Sequence, residues 1–231
     1  MRDFSKTDIL FCAHGDRRGA QRNSNLKELA AKVTQQLNPH SCDIALLSEE
    51  GDLERKLDAA SGSRFIIIPM IFSDGYFFTK ITNAVNEPVA NHSYKSINVM
   101  PPLCDWPELA QAINISFPLG PILLVAHGSK KSSASRLANE RLADRLKQKY
   151  GRSVECAYLE EEPFAEESIQ TFSEAINVVG LFMGEGLHGD EDWQAVLHKA
   201  KETPIRASTI GSMAELCPLV VSKIQCAIDD E

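Results

Sequence analysis

Two hydrophobic patterns alternate along this chain. Short apolar runs rich in β-branched residues, such as Ile9-Leu10-Phe11-Cys12-Ala13, Phe65-Ile66-Ile67-Ile68-Pro69 and Leu123-Leu124-Val125-Ala126, read as strands buried on both faces. Between them lie longer stretches with apolar residues at helical spacing. One runs from Leu26 to Leu37. Another runs from Arg136 to Tyr150, where Leu137, Leu142 and Leu146 mark a face and Gly151 supplies a C-terminal stop. This alternation predicts parallel sheets covered by helices on both sides.

The patterns also repeat. Ile9 to Asp16, ending in His14-Gly15, is echoed by Leu123 to Ser129, ending in His127-Gly128. Ile44 to Leu47, leading into Ser48-Glu49-Glu50-Gly51, is echoed by Cys156 to Leu159, leading into Glu160-Glu161-Glu162-Pro163. Arg64 to Met70, before Gly75-Tyr76-Phe77, matches Ile176 to Phe182, before Gly186-Leu187-His188; Ile97 to Met100 matches Ile205 to Ser208. Four matches in one order, at a nearly constant interval, indicate a duplication. The predicted fold class is therefore α/β: two tandem flavodoxin-like lobes, each a four-stranded parallel sheet flanked by helices. The lobes are expected to span 1–115 and 116–231. Asn114 to Gly120 is the expected linker, because Phe117-Pro118-Leu119-Gly120-Pro121 breaks any helix.

Composition narrows the classes. The 231 residues are 43% hydrophobic and carry a formal net charge of -8, which fits neither a disordered chain nor a basic nucleic-acid binder. The apolar run Phe65 to Phe72 is far short of the roughly 20 residues that span a bilayer, and no signal-peptide pattern opens the chain. The six cysteines form no C-x-x-C pair, which argues against a disulfide framework or a cysteine zinc site. The expectation is a soluble cytoplasmic protein without nucleic-acid or membrane partners.

In open α/β sheets, ligands bind outside the carboxyl ends of the strands. His14, His127, Glu160 and the segment Glu185-Gly186-Leu187-His188 all follow strands, so they are expected along one edge of each lobe. Two imidazoles converging there can hold a divalent first-row metal or accept protons near neutral pH. In lobe 1, Phe77 stands where His188 stands in lobe 2. Tyr76, Phe77 and Phe78 either form an apolar wall for a flat ligand or serve as ordinary core aromatics. Arg17, Arg18, Arg22, Lys130 and Lys131 follow the two His-Gly turns and either bind carboxylates or keep the loops soluble. Glu161 and Glu162 read as a solvated acidic turn, and Ser129 as a turn residue able to cap the next helix.

Three other readings are weaker. Gly184-Glu185-Gly186-Leu187-His188-Gly189 fits G-x-G-x-x-G, but it follows a lobe's third strand, and its carboxylates would repel a pyrophosphate. No G-x-S-x-G elbow and no G-x-x-x-x-G-K-[ST] loop occur. A dinucleotide-dependent enzyme is therefore the third-ranked reading, and no nucleotide cofactor is expected.

His127-Gly128-Ser129, Leu159-Glu160-Glu161-Glu162-Pro163 and Gly186-Leu187-His188 with Asp192, together with a degraded first copy at His14-Gly15-Asp16 and Pro69 to Gly75, resemble the class II tetrapyrrole chelatases. The resemblance is to the sirohydrochlorin chelatase (CbiX-like) branch and covers about Thr7 to Lys223. It implies insertion of a divalent cation, Co2+, Fe2+ or Ni2+, into a tetrapyrrole without ATP, in cobalamin or siroheme biosynthesis. It further implies His127 and His188 as metal ligands, with Glu185 or Glu160 neutralising the cation or relaying protons. His14, Arg17, Arg18, Ser129, Lys130 and Phe77 are the expected contacts to the carboxylate-rich macrocycle. The chain is expected to act as a monomer or homodimer. The second reading is a non-catalytic metal- or tetrapyrrole-binding protein of the same shape.

Overall fold

The structure is a computed structural model. It describes residues 2–15, 23–86, 95–130, 132–184, 191–202 and 204–229. Lobe 1 contains β1 (Thr7–Ala13), α1 (Ser24–Leu37), β2 (Ser41–Leu46), α2 (Asp52–Ala59), β3 (Arg64–Pro69), α3 (Tyr76–Asn86), β4 (Ser96–Val99) and α4 (Pro107–Ser116). Lobe 2 contains β5 (Ile122–Ala126), α5 (Ala134–Tyr150), β6 (Val154–Tyr158), α6 (Ala165–Ser168), β7 (Asn177–Gly180), α7 (Glu191–His198), β8 (Arg206–Thr209) and α8 (Leu216–Asp229). The strand orders are β2-β1-β3-β4 and β6-β5-β7-β8, with every pairing parallel. The second sheet thus repeats the topology of the first.

The period-two alternation of the strands sorts side chains between layers. From β1, Ile9, Phe11 and Ala13 enter one core, while Leu10 and Cys12 face another. From β5, Ile122, Leu124 and Ala126 join the same core as Ile9, and Leu123 and Val125 face away from it. That shared core lies between the sheets, and it is filled by α1, α4, α5 and α8, which pack on one another across the lobes. The central helices bury apolar residues at helical spacing, as in Leu26, Leu29, Ala30, Val33 and Leu37 of α1. Arg141 donates to Asp105 at 3.0 Å and Arg145 to the Cys104 carbonyl, adding polar ties between lobes.

The structure alters several details of the sequence reading. Helix α4 runs on to Ser116, so Asn114 to Ser116 belong to it rather than to the linker. Phe117 to Pro121 makes the crossing, held by Arg152, which is 6% exposed. The Arg152 guanidinium donates to Asn114 Oδ1 (3.2 Å) and to the carbonyls of Phe117 (3.2 Å), Pro118 (2.6 Å) and Gly120 (3.0 Å). Burial pulls its pKa down, and the four acceptors compensate for the lost water. In α5 the inward face is Ala138, Asn139, Leu142, Ala143 and Leu146, whereas Leu137 points outward at 48% exposure. The β6–β7 connection holds a four-residue α6 and a 3-10 turn at Ile169–Thr171. Trp106 and Trp193 are buried packing residues. Among the described residues no helix is long and apolar enough to cross a membrane.

Candidate functional site

Both His-Gly turns are built in the same way. In lobe 2, the Leu159 N–H donates to the Ala126 carbonyl (3.0 Å) and the Glu160 N–H to the His127 carbonyl (3.0 Å). In lobe 1, Leu47 donates to Ala13 (2.8 Å) and Ser48 to His14 (2.9 Å). These bonds make Ser48 the structural counterpart of Glu160. The turns need glycine: Gly15 has φ +88 and Gly128 φ +78, where a side chain is strained. Space is also short, since a Cβ on Gly128 would lie 2.8 Å from Glu161 Cγ and 2.9 Å from Tyr158 Cβ.

The lobe 2 turn presents His127 with its side chain 44% exposed and Nε2 3.6 Å from Glu160 Oε1. At that separation the pair attracts when the imidazole is protonated. A neutral imidazole and a carboxylate so placed can also share one cation at ordinary bond lengths of about 2.0–2.2 Å. The loop carrying Glu160 closes on itself, with the Tyr158 N–H donating to the Pro163 carbonyl (2.9 Å). Among the described residues no group of three histidine, cysteine or acidic side chains converges as a metal site. His127 with Glu160 is a two-donor set.

Glu161 corrects the sequence reading. It is no solvated turn residue: its side chain is 12% exposed. It accepts from the Ser129 N–H (3.0 Å) and from the Arg136 guanidinium (2.6 Å). Arg136 also donates to the Glu162 carbonyl (2.6 Å) and lies over the Tyr158 ring. Burial on its own would raise the Glu161 carboxyl, but the bonds from Arg136 and Ser129 outweigh it and hold the group below its ordinary value. Glu161 therefore braces the turn that aims His127. No spacing in the sequence announces this, because Glu161 meets Ser129 only through the β5–β6 register. The Ser129 N–H serves Glu161, and the Ser132 hydroxyl accepts from the first helical N–H, that of Ala134, at 3.2 Å.

Lobe 1 offers different chemistry at the equivalent edge. His14 is exposed, its Nδ1 is 3.0 Å from the Gly15 carbonyl, and its ring meets Phe77 edge-to-face at 4.8 Å. Phe77 is partly buried against the outer core of lobe 1. The carboxyl edges of the two sheets adjoin. A Cβ on Gly75 would lie 3.9 Å from that of Ala134, and Asn25 Nδ2 donates to the Met183 carbonyl (3.4 Å) and Ser212 Oγ (3.2 Å).

The sequence model of the CbiX family matches this chain twice, over residues 8–117 and 121–226. The chain belongs to the CbiX family. The two CbiX matches correspond to the two sheets. Solved structures share the fold. A CbiX described as the terminal enzyme for siroheme biosynthesis in denitrifying bacteria aligns with a TM-score of 0.72 at 22% identity, covering 95% of this chain and 99% of its own. SirB from Bacillus subtilis with Fe3+ aligns at 0.70 and 16% identity, covering 95% and 94%. The sirohydrochlorin chelatase SirB from Bacillus subtilis subspecies spizizenii, in complex with cobalt, aligns at 0.67 and 14%, covering 94% and 93%. A search of the curated proteins found no match.

Within this CbiX chain the expected site residues fall into two groups. His14, Phe77, His127, Ser129, Lys130 and Glu160 lie at the carboxyl edges of the sheets, with Lys130 exposed. His188, Glu185, Arg17 and Arg18 lie outside the described residues, as do Arg22 and Lys131.

Proposed function

We propose that this protein inserts a divalent cation into sirohydrochlorin or a related tetrapyrrole without ATP, in cobalamin or siroheme biosynthesis, and that lobe 2 presents the metal. The reaction exchanges two pyrrole N–H protons for one M2+, so the site must deliver a partly dehydrated cation and accept protons. His127 Nε2 and Glu160 Oε1, 3.6 Å apart at the sheet edge of a CbiX repeat, are the observation that carries this reading. In the proposal His188 completes the metal ligands, with Glu160 or Glu185 neutralising the cation or passing protons on.

Lobe 1 then handles the macrocycle. Its counterparts of Glu160 and His188 are Ser48 and Phe77, so it keeps only the imidazole of His14. With Nδ1 hydrogen-bonded to the Gly15 carbonyl, His14 has Nε2 as its proton-accepting nitrogen. Arg17, Arg18, Lys130 and Ser129 are assigned to the substrate carboxylates, and Phe77 to the wall beside them. The lobe boundary, expected between 115 and 116, is placed just beyond the end of α4 at Ser116, and the protein is taken to work in the cytoplasm as a monomer or homodimer.

The same loss of donors in lobe 1 favours a second reading, a binding protein without turnover. One absorbance experiment separates the two. Metal-free sirohydrochlorin is offered anaerobically with Co2+, Fe2+ or Ni2+ in turn. Protein-dependent conversion to the metallated spectrum over many turnovers is expected with cobalt or iron. Binding without conversion would leave only the second reading.

A further inference from the structure

We infer that Tyr76 is the residue on which the flat face of the tetrapyrrole stacks. This rests on the chelatase reading above and adds to it a substrate-binding residue in lobe 1.

Tyr76 opens α3 with 77% of its surface exposed. Single exposed aromatics are ordinary; the company this one keeps is not. Its ring meets Phe77 edge-to-face at 5.2 Å and 74°, and Phe77 meets His14 in the same manner at 4.8 Å and 78°. An aromatic row therefore runs outward from the imidazole at the end of β1. Phe77 is held between two rings and against the outer core, and Tyr76 ends the row as an exposed ring.

The row stands at the seam between lobes. Gly75, next to Tyr76, adjoins Ala134 at the start of α5, and the segment leading into that helix carries His127 and Lys130. Across the seam, Leu137 lies one turn beyond Ala134 and is 48% exposed, off the face by which α5 joins the core. An exposed tyrosine thus follows the residue that touches the start of α5, and an exposed leucine lies one turn into that helix, whose leading segment carries Lys130 and His127. That arrangement suits a planar conjugated ring bearing carboxylates: the ring plane meets Tyr76, an edge meets Leu137, and a carboxylate reaches Lys130.

The test measures binding of metal-free sirohydrochlorin to the full-length protein by absorbance titration. Tyr76→Ala is expected to weaken binding roughly three- to tenfold, the range set by one aromatic contact. Tyr76→Phe, which keeps the ring, should stay within about twofold of the parent, and Co2+ binding measured separately should be the same in all three. Equal macrocycle affinity in the parent and Tyr76→Ala would overturn the inference while leaving the chelatase reading intact. Failure of the parent protein to bind the macrocycle at all would overturn both.

Discussion

Replacing Glu161 by glutamine preserves size and shape but removes the charge that braces the His127 turn. The carboxylate now accepts from two donors at once, the Ser129 N–H and the Arg136 guanidinium. An amide has one acceptor oxygen and one NH2 group. Whichever way it is turned, one of the two donors faces another donor. A hydrogen bond to a charged group is worth about 1.5–3 kcal/mol, and the partial exposure of Arg136 moves its share toward the low end. The expected loss is therefore about 2–3 kcal/mol, a large part of the roughly 5–15 kcal/mol that holds a domain folded. Urea denaturation at pH 7 measures it. The pH dependence supplies the sign. Because the folded-state pKa of Glu161 lies below its ordinary value of 4.5, its contribution is complete above that value and disappears as pH falls through the lower, folded-state one. The gap between parent and Glu161→Gln should hold from pH 7 to about 5 and narrow only below 4.5. A gap under about 0.5 kcal/mol at pH 7, the scatter of ordinary surface substitutions, would refute the brace, as would a gap that does not narrow in acid.

Other perturbations test neighbouring parts of the account. Arg152→Met strands three oxygen acceptors around the linker, while the Pro118 carbonyl keeps its bond from Asn177 (3.0 Å), and should cost about 3–5 kcal/mol in urea denaturation at roughly 1–3 kcal/mol per unsatisfied group, with no change in the His127–Glu160 pair. Gly128→Ala should destabilise more than Gly15→Ala: both force a side chain into positive φ, but the Gly128 Cβ meets Glu161 and Tyr158 at 2.8 and 2.9 Å, against 3.1 Å for the nearest atoms at Gly15. Comparison of the two melting temperatures decides that order. Burial pushes the thiols of Cys104 and Cys156 up to about 12 and raises that of Cys12 as well. Since the thiolate is the reactive form, brief iodoacetamide treatment of the native protein at pH 8 should label the exposed Cys226 first, and peptide mass mapping will show whether it does.

The architecture could be read from local pattern because each strand's signal is carried by consecutive residues. Ile9 to Ala13 and Leu123 to Ala126 are apolar throughout, and their sheet positions follow from topology rules that need no side-chain detail. His-Gly was legible as a turn because the positive φ at Gly15 and Gly128 leaves few other residues possible. What escaped the reading depends on contacts between segments far apart in the chain. Glu161 finds Ser129 and Arg136 only when β6 is in register with β5. Leu137 fits a helical period with Leu142 and Leu146 on paper, yet the inward face includes small Ala138 and Ala143, on a helix that packs against both β6 and α4. The separate fates of Tyr76 and Phe77 could not be assigned either, since adjacent residues on one helix turn differ in burial only through what packs beside them.

The claim that lobe 2 presents the metal meets its most direct test in the initial rate of metal insertion into sirohydrochlorin by His127→Ala, measured beside the parent with the better of Co2+ and Fe2+. Far-ultraviolet circular dichroism verifies that the fold persists. The account predicts that His127→Ala abolishes insertion and weakens binding of the free cation, and that Glu160→Gln lowers the insertion rate at least about tenfold, the effect of about 1.4 kcal/mol on the barrier. Insertion by His127→Ala at the parent rate would contradict it.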